Sequence, residues 1–252
     1  MRVTILGSGT CVPRLERASS SLLVEAGTLR ILVDCGLGTQ HRLLAAGQDP
    51  CEVDLLFLTH FHPDHTGELV SLLFSGKYAG RFGRKKPLIL AAGKGLGNFY
   101  EGLCRVYGEW VDLNGGLILR ELPLDGPFFW TLKGVKLGTH PVNHRPESLA
   151  LSLEFCGKRL VITGDTDQCP ELVPFAAGAD LLICEAAMPD AMKVPGHLTP
   201  SLAAALAREA GVSRLLLTHF YPECDGIDVR DQAREVFEGP VLRAHDLMTL
   251  DL

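Results

Sequence analysis

The sequence lacks long apolar runs, paired cysteine motifs, low-complexity tracts and any excess of positive charge. Each absence excludes something. Its longest apolar runs, such as Leu215-Leu216-Leu217, fall far short of the roughly 18 residues a membrane helix needs, so no membrane contact is expected. Eight cysteines are spread over 252 residues with no CxxC pair. A chain of this size has no need of disulfide staples, so reduced and mostly buried thiols in a cytoplasmic protein are expected. No basic start followed by an apolar stretch opens the sequence, and no signal peptide is expected. A net charge of -6 with a pI of about 5.8 is not the global footprint of a nucleic-acid binder. No linker-like tract divides the chain, so residues 1–252 are expected to form one domain. The 46% hydrophobic fraction is enough to bury a sizeable core and excludes general disorder.

Short apolar segments recur from end to end. Strands are expected at 3–7, 21–25, 30–34, 54–59, 88–92, 136–139, 150–155, 159–163, 181–184 and 214–218. Helices are expected at 39–47, 64–74, 97–106, 200–210 and 229–237, with Thr199 and Pro200 as an N-cap and N1 pair. The early strands come in adjacent runs and the helices singly. That order fits an α/β fold of mixed sheets with outer helices, not a plain βαβα repeat. One internal echo stands out. Residues 56–64 and 215–223 are both apolar strands ending in Thr-His-Phe-x-Pro, which suggests an internal duplication whose second copy has lost two metal-binding side chains.

The sharpest feature is His60-Phe61-His62-Pro63-Asp64-His65. Four potential ligands lie within six residues, after a strand and before a helix opened by Pro63. Residues 60 and 62 of an extended segment point the same way, and Asp64 and His65 follow on the first helical turn. Imidazole and carboxylate together suit zinc, iron or manganese. Four groups so close in sequence cannot complete two coordination shells, so further ligands must come from elsewhere. The downstream candidates sit at strand ends: His144, Asp165, His197 and His219. His140 is the competitor for His144 and reads as a strand-end residue; His41 and His245 read as structural or surface residues.

The ordered set of motifs resembles the metallo-β-lactamase superfamily, and within it the ribonuclease Z-like phosphodiesterases. The resemblance rests on Leu6-Gly7-Ser8-Gly9-Thr10, Ser19-Ser20-Ser21, Val33-Asp34-Cys35-Gly36, the 59–67 segment, His144, Gly164-Asp165-Thr166, Gly196-His197-Leu198-Thr199 and His219, and it covers nearly the whole chain. It implies a four-layer αββα sandwich with two divalent metal ions, zinc first and manganese or iron as alternatives. One ion would take His60, His62, His144 and Asp165. The other would take Asp64, His65, Asp165 and His219, with Asp165 bridging. Asp34 would orient a ligating histidine from behind. Asp64 would also accept a hydrogen bond from the attacking water, and His197, off the metals, would assist the leaving oxygen. The resemblance also implies a homodimer.

Two departures narrow the substrate. Transfer-RNA-processing members usually carry a long flexible arm between the positions of His144 and Asp165, whereas here twenty residues read as two strands and a turn near Gly157. The Pro-x-Lys-Ile loop of many relatives is Pro50-Cys51-Glu52-Val53 here, with an acid in place of the lysine. The basic and aromatic run 77–86 has two equal readings: it follows the metal-motif helix and rims the site, which pulls the other way, or it is a solvated loop before the strand at Leu88. The 93–97 glycine run reads as a turn and not as a phosphate cradle. The expectation is therefore an arm-less phosphodiesterase acting on a small nucleotide or cyclic phosphodiester. A transfer-RNA 3′-processing endoribonuclease and a thioester or lactone hydrolase on the same core are the alternatives. A non-catalytic module binding RNA or a partner comes last.

Overall fold

A computed structural model describes residues 1–252. Fourteen strands form two seven-stranded sheets. The first contains β1 (Arg2–Gly7), β2 (Ser21–Ala26), β3 (Leu29–Val33), β4 (Leu55–Phe57), β5 (Leu88–Gly93), β6 (Leu117–Leu122) and β14 (Thr249–Asp251), in the order β14-β1-β2-β3-β4-β5-β6. The second contains β7 (Phe128–Leu132), β8 (Val135–Pro141), β9 (Leu149–Phe155), β10 (Lys158–Ile162), β11 (Leu181–Glu185), β12 (Leu215–Thr218) and β13 (Val241–Arg243), in the order β13-β12-β11-β10-β9-β8-β7. Strands β3 to β6 run parallel, as do β10 to β13. The helices are α1 (Thr39–Ala45), α2 (Pro63–Thr66), α3 (Leu69–Tyr78), α4 (Leu96–Tyr107), α5 (Leu172–Ala176), α6 (Pro200–Glu209) and α7 (Val229–Arg234).

Side-chain alternation builds the layers. In β3 and β4, Ile31, Val33, Leu55 and Phe57 enter the core between the sheets, while Leu32 and Leu56 enter a second core beneath α1, α3 and α4. Successive residues of a strand point to opposite faces. Both faces are covered, so these strands read as continuous apolar runs. With α5, α6 and α7 on the far side, helix–sheet–sheet–helix gives the four layers the resemblance implied.

Several expectations need correction. Four strands lie outside the sequence reading. Of these, β6 is an edge strand carrying Arg120 and Glu121 and exposing Ile118 and Leu119, which hides its period. The expected helix 64–74 is two helices. The chain breaks at Gly67 because the Glu68 N–H donates to Cys35 O and the Cys35 N–H to His65 O, at 2.9 and 2.7 Å. These bonds tie the metal motif to the loop after β3. Thr199 holds the N-cap position but its side chain caps nothing; Asp190 accepts from the Ser201 N–H at 3.0 Å instead. All eight cysteines are free, but only Cys35, Cys184 and Cys224 are buried. The two echo segments lie on β4 and β12, one in each sheet, each between parallel neighbours.

Candidate metal centre

Parallel strands bring their carboxyl ends to one edge, where loops collect functional groups. Asp34 follows β3, His60 follows β4, Asp165 follows β10, Glu185 ends β11 and His219 follows β12. His144 comes from the β8–β9 loop and His197 from the loop before α6. The ligand atoms of His60, His62, His144 and Asp165 all lie within 4.8 Å of one another, as do those of Asp64, His65 and His219. Asp165 Oδ2 also reaches the second group, 3.3 Å from His65 Nε2 and 3.4 Å from His219 Nε2. The seven expected ligands therefore converge, and one carboxylate faces both subgroups. His140 points elsewhere: its Nδ1–H donates to Pro141 O and its ring tilts against Phe175.

The backbone is bent to reach this arrangement. Asp34 and His219 have φ of 61° and 62°, a left-handed conformation that costs a non-glycine residue on the order of 1–3 kcal/mol. Gly164 has φ 60°, and a Cβ there would meet Thr59 at 2.8 Å. Asp34 is held by the Thr59 N–H, which donates to its Oδ1 at 2.8 Å.

Hydrogen bonds fix where the ring protons sit. His65 Nδ1–H donates to Asp34 Oδ2 at 2.7 Å, which turns its Nε2 towards Asp165 and His219. His144 Nδ1–H donates to Gly196 O at 2.8 Å, which leaves its Nε2 lone pair 3.2 Å from His62 Nδ1. An acceptor behind each imidazole sets the tautomer and aims the other nitrogen inward. His60 Nε2 is buried with no partner at all. Converging lone pairs and an orphaned nitrogen beside carboxylates are what a bound cation would satisfy, so the residues present fit divalent metal ions.

The electrostatics agree. Burial, aided by the neighbouring His65, pushes His60 down to about 2. Burial opposes charge on Asp64, but the hydrogen bond with His219 and the charge of His65 hold its carboxyl at about 2. Burial likewise opposes charge on Asp165, yet His219, His65 and His60 hold it well below the usual carboxylate range. The cluster is two ionised carboxylates beside imidazoles of unlike state: burial keeps His60 neutral, while burial of His65 is outweighed by Asp165 and Asp34, which raise it well above the ordinary imidazole value.

His197 stands beside this cluster with its ring stacked 5.5 Å from that of His219. Its Nδ1–H donates to Glu185 Oε1 at 2.9 Å. Burial alone would lower its pKa, but the Glu185 bond and charge raise it to about 8. Glu185 was missing from the sequence reading. It is 1% exposed, and its Oε1 also accepts from the Thr166 N–H at 2.8 Å. Its one mark in the sequence is that it closes the otherwise apolar strand Leu181–Cys184, which does not by itself set it apart from a structural acid.

Of the basic run 77–86, Arg84 and Lys86 are held away from this site. Arg84 donates to Val53 O at 2.8 Å and Lys86 pairs with Asp54 at 2.8 Å. Both partners precede β4, so this part of the run sits at the opposite end of the sheet from His60. In the glycine run, the Glu121 carboxylate accepts from the Gly95 N–H at 2.9 Å, so an acid of the fold already caps the turn.

Comparison with known proteins agrees with the geometry. Residues 29–220 match the family described as the beta-lactamase superfamily domain. The ribonuclease Z of Mycobacterium marinum is 30% identical over 242 residues, covering 88% of this chain and 87% of that protein. That of Mycolicibacterium paratuberculosis is 32% identical over 244 residues, covering 88% and 86%. The crystal structure of the short form of human tRNase Z superposes with a TM-score of 0.82 at 25% identity, covering 100% of this chain and 99% of the other. The metallo-β-lactamase fold protein YhfI of Bacillus subtilis superposes with a TM-score of 0.85 at 24% identity, covering 99% of each chain; it bears on the fold alone. The chain belongs to the metallo-β-lactamase superfamily, as a ribonuclease Z-like, metal-dependent hydrolase.

Proposed function

We propose that this hydrolase is a dinuclear phosphodiesterase acting on small nucleotide or cyclic phosphodiesters. His60, His62, His144 and Asp165 would hold one divalent ion, zinc in the first instance. Asp64, His65, Asp165 and His219 would hold the other. A pair of such ions supplies charge neutralisation at the phosphoryl oxygens and water acidified towards a pKa of about 7. Asp34 keeps His65 in the tautomer that points Nε2 inward, and Gly196 does the same for His144. Asp64, already ionised, accepts a hydrogen bond from the attacking water and orients it. The oxygen–phosphorus bond to water forms as the bond to the leaving oxygen breaks. Because Glu185 occupies Nδ1 of His197, Nε2 is the atom left to hand a proton to the departing oxygen.

The observation that carries this reading is the His197–Glu185 pair beside two ligand groups that share Asp165. The small substrate is supported by the chain between the ligands. Strands β9 and β10 are joined directly through Cys156 and Gly157, where an arm would otherwise emerge, and Arg84 and Lys86 of the basic run lie at the far end of the sheet. The second reading, transfer-RNA 3′ processing, is favoured by the relatives named ribonuclease Z. A cytoplasmic homodimer completes the proposal. Eight free thiols support a reducing compartment. The exposed aromatics Phe74, Tyr78 and Trp110, clustered on α3 and the turn after α4, offer a self-association surface.

A paired assay tests it. Metal-loaded protein is given bis(p-nitrophenyl) phosphate or a precursor transfer RNA with a 3′ trailer. Cleavage of the diester without trailer removal is expected. Trailer removal would put the second reading first. Silence with both substrates would remove phosphodiesters and bring thioesters and lactones forward.

A further inference from the structure

The loop after β1 folds back on itself, closed by the Gly9 N–H donating to Ala18 O at 2.9 Å. Between this loop and the start of α1 lies a pocket of about 360 Å³, within the range of small-ligand sites. Arg14, Arg17, His41 and Arg42 line it, and no lining residue is acidic.

The pocket adjoins the metal centre. The Phe220 N–H donates to Ser8 O at 2.9 Å, which ties the β1 loop to the residue after His219. Cys11, on the pocket wall, has its Sγ 3.5 Å from Tyr221 Oη. The Tyr221 ring in turn lies 6.3 Å from that of His219 and 6.5 Å from that of His197. Tyr221 therefore stands between the two sites.

The charges there are arranged, not cancelled. Arg14 and Arg17 share one carboxylate, Asp225, at 2.6 Å each. Arg42 pairs with Asp246 at 3.0 Å, but Asp246 also accepts from the Ser8 N–H, the Ser8 hydroxyl and the Ala18 N–H. With Glu16 Oε2 3.9 Å from Arg14 Nε and Arg243 3.9 Å from Asp225, four guanidiniums face three carboxylates, and Asp246 is largely committed to the loop. Arg17 is nine-tenths buried, and its Nε finds no acceptor in the fold. Guanidiniums held from one side by carboxylates keep further donors free in a fixed geometry, which suits the oxygens of a phosphate.

We propose that this pocket binds a second phosphate of the substrate, one nucleoside away from the phosphodiester cleaved at the metal centre. The substrate class is then a nucleotide phosphodiester with a further terminal phosphate, its nucleoside passing Tyr221. The proposal rests on the phosphodiesterase reading above.

Two chromogenic substrates test it: thymidine 3′-(p-nitrophenyl phosphate) with and without a 5′-phosphate. The expected result is a kcat/KM about tenfold higher for the 5′-phosphorylated compound, the scale of one charge-assisted hydrogen bond. That ratio should fall towards one in Arg14→Ala and in His41→Ala, both at exposed or half-exposed positions. Equal rates in the wild type, or a preference surviving both substitutions, would overturn the proposal. If neither compound is cleaved, the phosphodiesterase reading fails and the pocket is judged by calorimetry on the metal-loaded protein. Thymidine 3′,5′-bisphosphate binding weakened about tenfold by Arg14→Ala would uphold the pocket. Absent binding, or binding indifferent to both substitutions, would reject it.

Discussion

The two ends of β4 carry polar clusters of opposite character. At the amino end, Asp54 accepts from Lys86, Lys133 and the Arg30 N–H, at 2.8, 2.8 and 3.0 Å, and Arg84 donates to backbone carbonyls of Val53 and Pro50. Every charge there has a partner. At the carboxyl end, imidazole nitrogens face one another, two residues sit in left-handed backbone, and buried atoms go unpaired. Three of the seven buried side-chain nitrogens or oxygens without a partner, His60 Nε2, His219 Nδ1 and Glu185 Oε2, lie there. The lesson is that composition does not distinguish a functional cluster from a structural one. Both ends are rich in charge, but only one is incomplete as folded, and because unmade buried interactions are costly, their concentration among ligand-type side chains points to a bound partner there.

Substitutions sharpen that contrast. Asp165→Ala removes the carboxylate shared by both ligand groups, so kcat for bis(p-nitrophenyl) phosphate should fall by at least about a thousandfold. Metal content measured by plasma mass spectrometry should fall with it. His197→Ala should lower kcat by about 10²–10⁴-fold while metal content stays at the wild-type value; loss of metal would make His197 a ligand instead. Glu185→Gln should cost about 10- to 100-fold, in kcat and not in KM, because it acts through His197. The amino end should behave in the opposite way. Asp54→Asn should lower stability by about 1–3 kcal/mol in urea unfolding and leave diester turnover unchanged. The Lys86 and Lys133 partners hold the Asp54 carboxyl below its ordinary range despite burial. Its stabilising contribution is therefore present above the ordinary carboxylate pKa and is lost as pH falls through the lower folded value. The acid limb of the wild-type stability curve should flatten in Asp54→Asn.

The same contrast explains what could be read from the sequence. The converging cluster was legible because metal binding would need particular residue types: His60 to His65 lie within six residues, and His144, Asp165 and His219 each follow or adjoin an apolar strand. The doubly buried strands were legible because their apolar runs are unbroken. Glu185 was not, because its role lies in the packing of β11 against the loop that carries His197, and a lone acid at a strand end has no distinguishing spacing. The break at Gly67 was hidden because its cause is a pair of backbone bonds to Cys35, remote in sequence. The position of the 77–86 run stays open in the sequence, because adjacency to the metal motif along the chain does not fix adjacency in space. Helix α3 carries that segment away from His60 to the other end of the sheet.

The central claim is that the carboxyl end of the parallel strands is completed by divalent ions. Titration of zinc into the metal-free protein, with thermal unfolding followed at each addition, tests it directly. Two ions bound per chain and a stabilisation of about 2.7 kcal/mol for each site at a hundredfold excess over its dissociation constant are predicted, both lost in Asp165→Ala. A wild-type melting temperature indifferent to zinc, or one that Asp165→Ala leaves equally responsive, would contradict the account.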